Sequence, residues 1–225
     1  FPYTTLFRSS LAHNGVLFLD ELPEFKRDVL EVMRQPMEER KVNISRTRFS
    51  IDYPANFMLV ASMNPCPCGY YNHPEKDCVC GPGVVHKYLN KISGPLLDRI
   101  DLHVEVTPVK LEDLSSKQLA EKSSEIRKRV IEARNIQVGR FKTQDIHCNA
   151  QMTTKQTRES CQLDAASQQL LNTAMKRLGL SARAYERIIR VARTIADLEK
   201  CENIKTEHLA EAIQFRSLDR ESWAA

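Results

Sequence analysis

Two short, nearly continuous apolar runs, Gly15-Val16-Leu17-Phe18-Leu19 and Phe57-Met58-Leu59-Val60-Ala61, constrain this chain more than any other feature. Such runs predict strands covered on both faces, the habit of parallel sheets, and parallel strands need a crossover. Between them Phe25, Val29, Val32 and Met33 recur at helical spacing behind Pro23. That spacing predicts an amphipathic helix opened by the proline and ending near Pro36. Val42 and Ile44, then Phe49, Ile51 and Tyr53, alternate on either side of Ser45-Arg46-Thr47-Arg48, which predicts a hairpin inserted before the second buried strand. Leu102, Val104 and Val106 form a third strand candidate, stopped by Pro108. From residue 111 the apolar period becomes helical, over residues 111–137, 164–178, 181–198 and 206–215. The expected fold is therefore α/β, with a boundary near Thr107-Pro108 and an all-helical half after it.

Composition narrows the class. The chain has 225 residues, of which 42% are hydrophobic and 28% charged, enough for a sizeable core and too apolar for disorder to dominate. No stretch approaches the roughly 18 apolar residues that span a bilayer, and the N-terminus lacks a signal-peptide pattern, so the expectation is a cytoplasmic protein without a membrane partner. Net charge is +4, from 33 Lys and Arg against 29 Asp and Glu, so a nucleic-acid site has to be a local cluster. Seven cysteines without a secretion signal point to metal or free thiols rather than a disulfide framework. Residues 1–9 look like the in-frame translation of a DNA sequencing adapter, and position 1 is not Met. They are treated as a non-native stretch, with the chain expected to be the C-terminal part of something larger.

The first apolar run ends in Asp20-Glu21, placing paired carboxylates at the carboxyl edge of a parallel sheet, where ligands of such folds bind. This is the Walker B pattern: in a phosphoryl-transfer site Asp20 would hold Mg²⁺ and Glu21 would orient the attacking water. Acidic turns after buried strands are also common without function. Asn64, in Ser62-Met63-Asn64-Pro65, would stand at the same edge, within reach of a γ-phosphate or its attacking water. Arg99 lies between Asp98 and Asp101, where a structural ion pair is the plainer reading. Ser181-Ala182-Arg183 opens a later helix with another arginine.

The order of Asp20-Glu21, the hairpin, Asn64, Leu96-Leu97-Asp98-Arg99 and Ser181-Ala182-Arg183 resembles the magnesium chelatase-like branch of the AAA+ ATPases, in particular the YifB/ComM family. The resemblance covers nearly everything from Leu11 to about Arg220. It implies a truncated AAA+ core over residues 10–108 and a helical lid over residues 109–225. It also implies that Asp20 and Glu21 serve as Walker B, Asn64 as sensor 1, Arg99 as an arginine finger offered to a neighbouring subunit, and Arg183 as sensor 2. The parent would be a Mg²⁺-dependent ATPase forming a homo-oligomeric ring, expected to be a hexamer, and working on DNA as a helicase or in branch migration. A protein-remodelling chaperone or metal-chelatase motor is the alternative, and a zinc-stapled structural domain with degenerate motifs is a third reading. One departure stands out: nothing matches G-x-x-x-x-G-K-S/T, so this piece alone is expected not to hydrolyse ATP.

Two further clusters carry chemistry. Cys66, Cys68, Cys78 and Cys80 offer four soft ligands in one loop, suited to a closed structural zinc site. The C-x-C spacing departs from the usual C-x-x-C, so reduced thiols and a redox pair stay open as alternatives, with His73 and His86 as substitute ligands. Arg40, Lys41, Arg46 and Arg48 at the hairpin would hold nucleic-acid phosphates by charge, or else merely keep an edge hairpin soluble.

Overall fold

The computed structural model describes residues 8–46, 49–107, 120–142 and 144–216, and its chain divides into two units between Ile100 and Asp101. The divide falls ahead of Thr107-Pro108 because the segment after Ile100 bonds to the helical half. Asp101 pairs with Arg187, and the His103 amide donates to the Phe215 carbonyl at 2.8 Å.

In the first unit β1 (Val16–Leu19) and β4 (Met58–Ala61) pair in parallel, Val16 opposite Met58 and Leu19 opposite Ala61. The hairpin predicted between them is present, with β2 (Lys41–Arg46) antiparallel to β3 (Phe49–Pro54) and Ile44 opposite Ile51. Its inner face buries Val42 and Ile44 against Ala55, with Tyr53 and Phe57 alongside.

Three expectations are corrected. The crossover is broken into a 3-10 turn at Leu22–Glu24 and two short helices, α1 (Arg27–Val32) and α2 (Arg34–Glu39). Pro36 does not end a helix but sits in the first turn of α2, where its missing N–H costs nothing. Leu102, Val104 and Val106 form no strand; their side chains are exposed and no ladder partner flanks them among the described residues.

The third correction concerns the sheet. Val16, Phe18, Met58 and Val60 share one face and are 55%, 58%, 59% and 39% exposed, so among the described residues β1 and β4 are covered on one side only. The other side feeds Leu19 into a core of Leu22, Leu30, Ile92, Leu96 and Leu97, the last two from α4 (Gly94–Leu97), while α3 (Pro82–Leu89) packs Val85, Tyr88 and Leu89 around Cys66. A contiguous apolar patch on a two-stranded sheet favours association. The chain is expected to self-associate as concentration rises, and Phe18→Lys with Met58→Lys to move that onset upward. Light scattering that is identical for both proteins would show that the patch is no liability.

Every regular element described in the second unit is a helix. These are α5 (Ser123–Arg140), a 3-10 turn at Asn149–Gln151, α6 (Thr154–Ser160), α7 (Ala165–Arg177), α8 (Ala182–Leu198) and α9 (Thr206–Gln214). The expected start of the first of these, at residue 111, lies outside the described residues. Lys122 is extended, so the helix observed begins at Ser123. Caps set the other starts: Asp164 accepts from the Ser167 amide at 2.7 Å and Ser181 from the Ala184 amide at 3.2 Å. The helix α6 and the turn before it were not anticipated; the capping box of Thr153 with Gln156 was the signal for them. The stripe Ile188, Ile189, Ala192, Ile195 and Ala196 on α8 builds the core with Leu171 and Leu209.

Candidate functional site

Backbone pairing carries β1 and β4 past their last ladder residues. The Ser62 amide donates to Leu19 O at 3.0 Å, and the Leu22 amide donates to Ser62 O at 2.9 Å. Between these bonds the Ser62 hydroxyl donates to Asp20 Oδ1, which also accepts from the Glu21 amide at 3.0 Å. Glu21 takes φ 51° and ψ 51°, a left-handed conformation that non-glycine residues enter at a cost and that tends to mark functional turns. Asp20, Glu21 and Asn64 are all exposed at this carboxyl edge. Ser62 is the participant that sequence reasoning passed over; its only signal was its place at the end of an apolar run.

Arg99 lies within the first unit. Its side chain is 4% exposed, its Nη2 stands 2.7 Å from Glu38 Oε1, and its Nη1 donates to Pro95 O at 2.5 Å. Its Nε is buried with no hydrogen-bond partner among the described residues. The flanking Asp101 pairs with Arg187 instead. Arg183 is exposed in the first turn of α8, in the second unit.

On the hairpin, Lys41 Nζ stands 2.9 Å from Asp52 Oδ2, and Asp52 also accepts from Asn43 at 2.7 Å. These bonds hold the Asp52 carboxyl below, and the Lys41 ammonium above, its usual range. Arg46 ends β2 opposite Phe49; its side chain, and Arg48 altogether, lie outside the described residues.

The cysteine loop gathers all four sulfurs within 4.8 Å of one another, and none is in a disulfide. Cys66 and Cys68 are 3.3 Å apart, Cys66 and Cys78 3.7 Å, and Cys68 and Cys78 3.5 Å. Zn–S bonds of about 2.3 Å in a tetrahedron require sulfur separations of about 3.8 Å, so the donor set fits zinc with little movement. Gly69 at φ 82° makes the turn that returns its amide to Cys66 O at 3.0 Å, a conformation natural to glycine. A backbone hydrogen bond at Tyr70 draws the Cys68 thiol down to about 6, while burial pushes Cys78 up to about 12. His73 and His86 stand outside the sulfur group: His73 Nδ1 accepts from the Glu75 amide at 3.1 Å, and His86 bonds Asn90 at 2.8 Å.

A second trio, Glu199, Cys201 and His208, brings metal-ligating atoms equally close. Its chemistry is that of a helix start. His208 Nδ1 accepts from the Lys205 amide at 3.1 Å, which leaves the ring proton on Nε2, 2.9 Å from Glu199 Oε2. A ligating imidazole would need that nitrogen bare and a proton on the one already accepting. A cleft in the second unit, lined by Thr157, Arg158, Cys161, Tyr185 and Glu186, touches none of the sequence-predicted site residues.

A small parallel sheet, helices and an acid pair at its carboxyl edge define a mixed α/β protein consistent with the AAA+-like class. Family models of the magnesium chelatase subunit ChlI match residues 8–114, and of the C-terminal region of that subunit residues 120–216. The chain belongs to the YifB/ComM family of magnesium chelatase-like proteins. It is 45% identical over 213 residues to YifB of Escherichia coli strain K12, covering 94% of this chain and 41% of that protein. It is 43% identical over 212 residues to the competence protein ComM of Haemophilus influenzae, covering 94% of this chain and 40% of the relative. A protein of Mycobacterium bovis is 36% identical over 207 residues, covering 92% of this chain and 41% of its own length. The chain thus spans about two fifths of the curated relatives it matches. No helix among the described residues is long and apolar enough to cross a membrane.

Proposed function

We propose that this chain is the Walker B-to-sensor 2 portion of an AAA+ ATPase motor that moves along DNA, as in helicase or branch-migration work during uptake and recombination. The observation that carries the reading is the Asp20–Ser62 bond, which ties two strand ends together and sets Asp20 and Glu21 at the sheet edge that Asn64 follows. Carboxylate oxygens are hard donors that suit Mg²⁺, and bound Mg²⁺·ATP would supply the phosphoryl group to be transferred. In this reading Asp20 would hold the ion, Glu21 would polarise the attacking water, and the Asn64 amide would orient that water. Arg183, on α8 of a helical lid, approaches the nucleotide. Arg99 leaves Glu38 to serve a neighbouring subunit of a ring of six, in the cytoplasm. The four thiolates would hold a structural zinc ion.

The printed sequence holds no G-x-x-x-x-G-K-S/T, so nothing in it cradles a triphosphate, and the 225-residue chain is expected to show no ATP turnover. Mg²⁺-dependent hydrolysis abolished by Glu21→Gln would overturn that expectation. The DNA reading draws support from a relative named as a competence protein and from the basic hairpin tip. Replacing Arg46 and Arg48 with Ala is expected to weaken binding of single-stranded oligonucleotides of any sequence. The log–log salt slope should become shallower by about 0.7 per lost phosphate contact. Fluorescence anisotropy across a salt series measures it. Equal slopes for both proteins would move the reading to a motor acting on protein or metal-chelate substrates.

A further inference from the structure

The backbone between the acid pair and the cysteine centre is very short. At one end Ser62 is fixed by its bonds to Leu19, Leu22 and Asp20. At the other Cys66, fully buried, packs with Val85, Tyr88 and Leu89 and stands 3.3 Å from Cys68 and 3.7 Å from Cys78. Only Met63, Asn64 and Pro65 lie between these anchors. The Met63 side chain packs against both neighbouring cores, the one under β1 and the one around Cys66.

A tether this short, with a proline in it, has little freedom once both ends are held. We infer that the four-thiolate centre is a positioning device for Asn64, with a soft divalent metal such as zinc as its ligand and the Met63-Asn64-Pro65 tether as its arm. The inference rests on the zinc reading of the cysteines. Loading the centre joins the loop strand of Cys66 and Cys68 to that of Cys78 and Cys80 through one ion. That removes the motion of Cys66 and hence of the residues tied to it. Asn64 is then held at a fixed place relative to Asp20 and Glu21; without metal it is held from the Ser62 side alone. The centre would in this way link metal supply to the geometry of the acid and amide site.

The test uses the full 225-residue chain, zinc as the probe, and backbone amide exchange and chemical shifts read by NMR. Zinc is expected to shift the Asn64 amide resonance and slow its exchange by about tenfold or more, as for a segment whose local opening is suppressed. Inserting two glycines between Pro65 and Cys66 keeps every thiolate and every Ser62 bond but slackens the arm. That variant should take up the same zinc with no change at Asn64. Should the insertion prevent zinc uptake, Met63→Ala replaces it, with a reduced Asn64 response expected at equal zinc content. Zinc bound to the wild type with an unchanged Asn64 overturns the inference alone, as does a full response in a slackened arm that binds zinc. Failure of the wild type to take up zinc overturns the inference and the zinc reading together.

Discussion

Replacing Asp197 with Ala is expected to destabilise the chain by about 3–5 kcal/mol, the usual cost of removing one partner from a buried ion pair. The Asp197 side chain is fully buried on α8. Its Oδ1 accepts from Arg140 Nη2 at 2.5 Å and from Arg193 Nε at 3.1 Å. Its Oδ2 accepts from Arg140 Nη1 at 2.8 Å and from Asn149 Nδ2 at 2.8 Å. One carboxylate thereby ties α8 to the end of α5, to the turn at Asn149–Gln151 and, through Arg193, to the carbonyls of Cys201 and Glu202. Alanine would leave the Arg193 guanidinium, 3% exposed, without its counter-charge. Urea unfolding followed by helical circular dichroism measures the loss. Asp197→Asn keeps the shape and should cost less with the same sign. A loss below about 1 kcal/mol for Asp197→Ala would show that the network is replaceable, as ordinary surface contacts are.

The second large effect is expected at the cysteines. After exposure to zinc and gel filtration, the chain should carry about one zinc per molecule, and Cys66→Ser with Cys78→Ser should carry almost none. Uptake should release protons, because metal binds thiolates and burial keeps Cys78 protonated at neutral pH in the metal-free chain. The sign of the pH dependence follows: affinity rises with pH and is lost as the medium becomes acidic. Mass spectrometry under native conditions gives the stoichiometry, and a pH-indicating dye in weak buffer gives the protons. A chain that stays metal-free with zinc in excess would identify the loop as reduced thiols held by packing alone.

Lys41 illustrates how local charge alters a reading made from residue type. In the sequence it is one member of a basic hairpin; in the fold Asp52 lies diagonally across from it and takes up its ammonium. Under the proposed DNA reading the phosphate contacts would then fall to Arg46 and Arg48, which lie between Lys41 and Asp52 in the sequence.

The sequence by itself determined what depends on neighbours along the chain. Apolar alternation located the hairpin, nearly continuous runs located β1 and β4, and the caps Asp164 and Ser181 located the starts of α7 and α8. The grouping of Cys66, Cys68, Cys78 and Cys80 was equally legible, since a loop this short leaves the sulfurs little room to separate. Tertiary structure decided whatever depended on a partner distant in sequence. An apolar run does not say how many of its faces are covered, so the exposed side of β1 and β4 was invisible, as was the lack, among the described residues, of a ladder beside Leu102, Val104 and Val106. Charges behave the same way: Arg99 sits between aspartates in the sequence and pairs with Glu38 in the fold, while Asp197 has no sequence neighbour that announces Arg140. A side chain's reach along the chain is limited to the next turn or strand residue, whereas electrostatic and packing partners are chosen by what folding brings within a few ångströms.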